Sequence, residues 1–437
     1  MGTSQNSASN LRGAKRGLAS CGLLRAALAL VMLALAGSVE AQEPAKNSCL
    51  ECHSVLPEQL QIAPEQHAAD IHSQKGLTCV SCHGGNASLD DAEAAMSRSA
   101  GFKGKIARAQ VPALCASCHA NGAYIRQFNP SLRTDQLSQY QTSVHGQLLS
   151  RGNGKVAVCT DCHGVHGMLP ASDSRSQVHP VNVATTCSKC HADSEYMKGF
   201  SIPTDQFASY SSSVHHDALA VRGDLSAPTC TTCHGNHGAA PPGVASVENV
   251  CATCHVFQAQ LFDTSRHKTA FADMGLPGCV TCHSNHRIQR PTDEMIGTTA
   301  KAVCVTCHAE GDAGYAAAAN MREQLDGLVQ SIHEAEAVLS RAEQSGMEIS
   351  EAKLNQAQAR DALTKARVTI HSFQPGKVAE DIQAGLKVTA ASHQAGLDAL
   401  AERDYRRVGL AVSLLAIVVV LIGLRLYIRK IEAPIQS

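Results

Sequence analysis

The chain has 437 residues, a formal net charge of −1, and only 3% aromatic side chains with no tryptophan. That balance excludes the strongly basic surface that nucleic acid demands, so no nucleic-acid partner is expected. A chain this long normally fills its core with aromatic and aliphatic bulk, so here something other than side chains must supply part of it.

At the N-terminus, Arg12, Lys15 and Arg16 precede an apolar run from Ala26 to Ala36. Val39 and Ala41 then stand at the key positions of a cleavage site. Residues 1–41 read as a secretory signal peptide, with Gln42 as the mature start. Leu18-Ala19-Ser20-Cys21 looks like a lipoprotein box but precedes the apolar run instead of following it. The body is therefore expected outside the cytoplasm.

Residues 42–310 repeat one pattern nine times, C-x-x-C-H. The motifs are Cys49/Cys52/His53, Cys79/Cys82/His83, Cys115/Cys118/His119, Cys159/Cys162/His163 and Cys187/Cys190/His191. Then come Cys230/Cys233/His234, Cys251/Cys254/His255, Cys279/Cys282/His283 and Cys304/Cys307/His308. Two thiols at this spacing add across two vinyl groups of a haem, and the adjacent His offers a ring nitrogen to the iron. Zinc sites use Cys pairs without a His after each one. Eighteen of the 19 cysteines fall inside motifs, so none remains for a disulfide framework. The pattern points to nine covalently bound haem c groups in a nine-haem domain, with porphyrin as the missing bulk.

Within that domain lies a degenerate repeat. Tyr140–His145, Tyr210–His215 and Phe262–His267 each end in a histidine, followed 12 to 15 residues later by a motif. Those motifs carry a trailing histidine three positions on, His166, His237 and His286, and a plain motif follows each. His67 stands 12 residues before Cys79 and reads as the leading histidine of an earlier repeat that lacks the trailing one. Low-spin electron-transfer haems commonly have His on both faces. His67, His72, His145, His166, His179, His215, His237, His267 and His286 are nine non-motif histidines near the motifs, and they are the expected distal ligands. His216 reads as a bystander. Few strand-like alternations appear, so the domain should be loops and short helices.

After Glu310, cysteine gives way to Ala, Glu, Gln, Leu, Lys and Arg, which are good helix formers. Residues 311–405 are expected to form a helical hairpin or stalk, with helices at about 314–343, 348–372 and 378–405, the last running into the membrane span. Gly346 and Pro375-Gly376 mark the breaks, and Leu325, Leu328, Ile332 and Val338 share one face. His371, at the end of the second helix, is a further candidate iron ligand, while His333 and His393 read as polar helix residues. From Val408 to Leu424 the chain is uncharged, so a transmembrane helix is expected over 406–429 and a cytoplasmic tail over 430–437.

The S-V-H, C-x-x-C-H-G-x-H and paired C-x-x-C-H patterns over roughly residues 49–308 resemble a multihaem cytochrome c superfamily. It includes cytochrome c554, octahaem tetrathionate reductase, hydroxylamine oxidoreductase and pentahaem nitrite reductase. In its catalytic members a long-helix region follows the haem core, and a histidine near a helix end there binds a haem. Val368-Thr369-Ile370-His371 is similar to that position. The chain has no C-x-x-C-K motif and no shortage of distal histidines.

The expected fold is mainly α with extensive loops: a multihaem c-type cytochrome core, a C-terminal helical bundle and one transmembrane helix. The expected function is electron transfer through mostly bis-His haems in an anaerobic or respiratory chain. The haem domain would be periplasmic, anchored in the bacterial inner membrane by the C-terminal helix, with no catalytic residue. Its partners would be other redox proteins, a quinol oxidoreductase or periplasmic cytochromes, and possibly a second copy of the chain. The alternative is a reductase or oxidase of a small nitrogen or sulfur compound at one five-coordinate haem. A haem-bearing scaffold within a larger respiratory complex shades into the first reading.

Overall fold

A computed structural model describes residues 46–240 and 249–432. The signal peptide, Cys21 and the cleavage site lie outside those residues. Among them there are helices and loops but no strand. They divide into two compact bodies: one holds the residues up to Glu65 with Leu77–Lys105, the other Gln66–Gly76 and everything from Ile106 onward.

In the smaller body, helix Ser48–His53 carries the first motif and helix Cys79–His83 the second. Ser48 bonds the Ala87 carbonyl through both its amide (3.0 Å) and its hydroxyl (2.8 Å). Lys103 bonds the His83 carbonyl through its amide (2.8 Å) and that of Cys82 through Nζ (3.0 Å).

The larger body begins with more motif helices. Val111–His119, Cys159–His163, Pro180–His191, Cys230–His234 and Gly278–His283 each end on a motif histidine. A helical turn suits C-x-x-C-H because residues three and four apart share a face, so both thiols and the ring project together. After His119 and His191 the backbone continues at φ −93° and −102°, at Ala120 and Ala192, but after four other motif histidines it swings away with positive φ. Gly84, Gly164 and Gly235 do this at +69°, +84° and +81°. Ser284 takes the same turn at φ +65° and ψ −177°, a conformation that strains any residue with a side chain.

Three long helices close the chain: α1 (Ala313–Gln344), α2 (Ser350–Thr369) and α3 (Pro375–Glu432). Asp312 caps α1 by accepting from the Tyr315 amide at 2.6 Å. The three pack on one another along an apolar seam. Met321, Leu325, Leu328 and Ile332 of α1 meet Ala359, Leu363 and Ala366 of α2 and Val378 and Ile382 of α3. Further along, Val338, Leu339 and Ala342 meet Ile349 and Leu400. Burying each large side chain here contributes roughly 1.5–3 kcal/mol before entropy is counted. A 3-10 turn, Ile370–Ser372, extends α2 over His371. Helix α3 runs unbroken past residue 405 to Glu432, since no proline interrupts it. Its second half carries exposed Val408, Leu415, Val420 and Ile428 and is long and apolar enough to cross a membrane.

Candidate haem-binding sites

Among the described residues the structure brings motif and non-motif histidines together in at least seven pairs. His72 faces His119 at 6.1 Å between ring centroids, His145 faces His191 at 6.1 Å, and His163 faces His237 at 6.1 Å. His215 faces His255 at 6.4 Å, His234 faces His286 at 6.1 Å, His267 faces His308 at 5.9 Å, and His283 faces His371 at 6.0 Å. Interplanar angles run from 9° to 89°, so no common ring–ring attraction sets the separation. One metal atom between two rings would do so. A metal–imidazole bond of about 2 Å on each side, plus about 1 Å from ring edge to centre, places the centroids about 6 Å apart. Among the described residues no three His, Cys, Asp or Glu side chains converge as they would on a bare ion. The donor sets therefore fit haem iron, with the porphyrin supplying the equatorial ligands.

The pairing follows a rule. Within the larger body, a leading histidine faces the plain motif of its own repeat: His72 with His119, His145 with His191, His215 with His255, His267 with His308. A trailing histidine faces the first motif of the preceding repeat: His237 with His163, His286 with His234. Backbone bonds repeat with it. The amide just before the leading histidine donates to the carbonyl two residues past a trailing one: Ile71 to Met168 (2.8 Å), Val144 to Ala239 (3.4 Å), Val214 to Ile288 (2.8 Å).

Sequence spacing makes His67 the first leading histidine; the structure puts His72 there. Asp70 caps the helix of His72 as Ser143 and Ser213 cap those of His145 and His215. The Asp-for-Ser exchange hides the match from the sequence. The His67 Nε2 is bonded instead to Ser73 Oγ at 2.8 Å. His179 caps the helix that carries Cys187 and Cys190, its Nδ1 accepting from the Val181 amide at 3.4 Å. This draws the ring proton to Nε2, the wrong tautomer for an Nε2 ligand. His166 follows the Cys159 motif, and its carbonyl accepts from Gln66 Nε2 at 2.9 Å. His216 lies edge-on to Tyr210.

The second layer of contacts was not legible in the motifs. In five rings Nδ1–H meets an acceptor, which leaves Nε2 with its lone pair and strengthens it as a ligand. His53 donates to the Leu60 carbonyl (2.8 Å), His234 to that of Ala240 (3.3 Å) and His371 to that of Val368 (2.9 Å). His72 donates to Asp70 Oδ1 (3.1 Å) and His308 to Asp312 Oδ1 (3.2 Å). Gly314 makes the last contact possible, because a Cβ there would lie 2.1 Å from the His308 ring. Burial, chiefly, holds the rings of His119, His145, His163, His191, His215 and His237 below the usual histidine range. His267, His283, His286 and His371 are lowered by the same cause. The shift favours the neutral ring, the form that binds metal.

None of the eighteen motif cysteines, Cys118 and Cys307 included, forms a disulfide, although successive motifs bring their thiols close. Cys49 lies near Cys79 in the smaller body. In the larger one Cys115 neighbours Cys159, Cys162 neighbours Cys190, and Cys187 neighbours Cys230. Cys233 then neighbours Cys254, Cys251 neighbours Cys279, and Cys282 neighbours Cys304 and Cys307. Within each body the motifs thus follow one another in space in their chain order.

Spacing makes Cys118 and Cys307 ordinary second thiols of their motifs, but the structure gives each a hydroxyl contact that the motif does not contain. Cys118, half-buried, has its Sγ 3.9 Å from Ser117 Oγ. Cys307, exposed, has its Sγ 3.8 Å from Thr306 Oγ1. Each hydroxyl also donates to a backbone carbonyl at 2.7 Å, that of Leu114 for Ser117 and that of Val303 for Thr306. A hydroxyl has one proton, and the carbonyl is the better acceptor, so its hold on sulfur is weak. Both thiols therefore keep the freedom that attachment to a vinyl group requires.

Comparison with known proteins points the same way. The Cytochrome c3 family profile matches residues 71–192, and the Doubled CXXCH motif profile matches residues 271–313. The C-type polyheme cytochrome OmcB of Geobacter sulfurreducens, from strains DL-1 / KN400 and ATCC 51573 / DSM 12127 / PCA, is 22% identical over 197 residues. That covers 44% of this chain but only 20% of the relative, so the chain spans about a fifth of the length of the curated relatives it matches. No solved structure matches. The chain is a multihaem c-type cytochrome, mainly helical, with a C-terminal helix that could anchor it in a membrane.

Proposed function

We propose that this chain is an exported, membrane-anchored nonahaem electron carrier of the periplasm. The observation that carries the reading is the set of seven imidazole pairs, all between 5.9 and 6.4 Å. Bound haem would supply the one-electron couple. The chain's own residues would close both axial faces, exclude exogenous ligands and set each potential through burial and the Nδ1 contacts. The thiol succession supports a wire from the Cys115 motif to the Cys304 motif, read in chain order. A histidine on either side would hold each haem in place and shield it from other ligands, which suits a carrier.

A second reading has one observation in its favour. The smaller body, as described, holds no histidine outside its two motifs. A ligand-accessible haem, and with it reduction or oxidation of a small nitrogen or sulfur compound, would belong at Cys49 and Cys52.

Two measurements test both readings. Intact mass of the matured protein should exceed the processed polypeptide by nine haems. EPR of the oxidised protein should show low-spin signals from at least seven. A high-spin, cyanide-binding haem together with turnover of nitrite, hydroxylamine or tetrathionate would replace the carrier with the enzyme. Zinc without covalent haem would end both readings.

A further inference from the structure

The pairing rule has an end effect. His163 and His234 each face the trailing histidine of the next repeat. The repeat containing Cys279 has no successor, and there His283 faces His371, far along the chain on another kind of structure. We infer that the helical bundle stands in for the missing repeat, and that Asp293 and Arg367 are the positioning residues that set His371 against His283. The inference rests on the bis-histidine reading above.

A ligand brought from such a distance must be held by something other than local chain geometry. The His371 ring is tied to the end of α2, since its Nδ1–H donates to the Val368 carbonyl at 2.9 Å. The question then becomes what fixes that helix end relative to the motif helices. The neighbouring Arg367 reaches out with two arms, Nε to Asp293 Oδ1 at 2.9 Å and Nη2 to Asp293 Oδ2 at 2.7 Å. Asp293 lies on the segment between the last two motifs. Its carbonyl accepts from Arg322 of α1 at 2.7 Å, and Ile296, just beyond it, packs against the bundle core. One short segment is thus gripped by both helices.

The other side of the helix break is held as well. Phe373, in the left-handed region at φ +54°, lies 3.8 Å from the His267 ring and edge-on to Phe262. The break between α2 and α3 therefore carries one ligand ring and supports another. In the internal repeats the corresponding grip is made of hydrogen bonds to backbone alone, Val144 to the Ala239 carbonyl, or Val214 to that of Ile288 with Gln289 Nε2 to that of Ser212 at 3.0 Å. Capping units of a repeat array commonly differ in this way from the units they close.

The Asp293–Arg367 pair is a poor stability device. The Arg367 side chain is 46% exposed, and ion pairs that wet contribute little to folding. A two-armed guanidinium–carboxylate contact fixes angle as well as distance. Its loss should therefore appear in the haem's spectrum more than in its melting.

The test uses full-length, haem-loaded protein and compares Arg367→Ala, Arg367→Lys, Asp293→Ala and His371→Ala with Arg360→Ala. Arg360 pairs with Glu336 within the bundle, at 2.8 Å, and serves as the control. Haem content should stay constant throughout. His371→Ala should convert one low-spin haem to high-spin. Arg367→Ala and Asp293→Ala should shift or broaden that haem's EPR signal and raise its carbon monoxide binding roughly tenfold or more. Arg367→Lys should lie between them and wild type, and Arg360→Ala should match wild type. If His371→Ala opens a haem but Arg367→Ala and Asp293→Ala leave every signal in place, the positioning role is wrong and the ligand assignment stands. If His371→Ala leaves the low-spin count unchanged, the ligand assignment itself fails and the inference falls with it.

Discussion

Replacing Asp70 separates the structural from the electronic role of a single carboxylate. Asp70 is buried, at 9% exposure. Its Oδ1 accepts from the His72 amide at 2.8 Å and from His72 Nδ1 at 3.1 Å, while Oδ2 accepts from the Met168 amide at 2.9 Å. In Asp70→Ala, loss of the helix cap costs about 1 kcal/mol. Stranding the half-buried Met168 amide without its charged acceptor costs roughly 1.5–3 kcal/mol more. The sum, about 2.5–4 kcal/mol, should be read by denaturant unfolding of the haem-loaded protein. Asp70→Asn keeps an oxygen for the cap but turns an NH2 toward Met168 and removes the negative charge from beside His72. The imidazole then donates less electron density to ferric iron, so that haem's potential should rise. Each tenfold loss of preference for the ferric state is about 59 mV for one electron, and second-layer partners act in the tenfold range. A spectroelectrochemical titration should therefore show one component moved upward by tens of millivolts. Unfolding of Asp70→Ala within about 0.5 kcal/mol of wild type, or a titration of Asp70→Asn that superimposes on wild type, would refute the reasoning.

Three other outcomes are expected. Burial, chiefly, pushes the Tyr140 and Tyr210 phenols up to about 12, and their hydroxyls donate to the Ala157 and Pro228 carbonyls at 2.8 and 2.9 Å. Between about pH 10 and 12 the folded state thus holds protons that the unfolded chain has lost, so stability should fall as pH rises through that window, by up to about 2 kcal/mol per tyrosine. Tyr210→Phe should flatten the alkaline slope at a cost of about 1 kcal/mol near neutrality, and an unchanged slope would be evidence against it. Ser284→Gly relieves the strained turn after the Cys279 motif and should raise stability by about 1 kcal/mol, measured as a small increase in melting temperature. Leu328→Ala empties a site with 0% exposure in the bundle and should cost about 3–5 kcal/mol while leaving haem content unaltered.

How much of this was readable from the sequence depends on the range of the interaction. The motifs are local, and the spacing of Cys279, Cys282 and His283 already states that three side chains share one face of a turn. The bundle helices were equally plain, because Leu325, Leu328 and Ile332 mark a face and Gly346 and Pro375 mark its ends. The ring pairs were not, because each joins segments whose separation is set by tertiary packing. His72 is the clearest case. Asp70 performs the capping that serine performs elsewhere, so a search for Ser-Val-His passes over it and stops at His67. His179 misleads in the opposite sense: it lies close to a motif, yet its ring is engaged at a helix N-terminus. The continuity of α3 through residue 405 was legible as well, since no proline breaks the chain where its surface changes from polar to apolar.

That continuity has a mechanical consequence. From Pro375 to Arg406 the helix advances about 1.5 Å per residue, or roughly 45 Å in all, before its apolar stretch begins. With that stretch set in a bilayer, the turn bearing His371 would stand several nanometres above the lipid headgroups. Three mutually packed helices make the mast stiff, and height and orientation are transmitted together because no hinge interrupts α3. A carrier dissolved in the lipid would meet the bare foot of the mast, whereas a protein standing in the aqueous phase would meet its head.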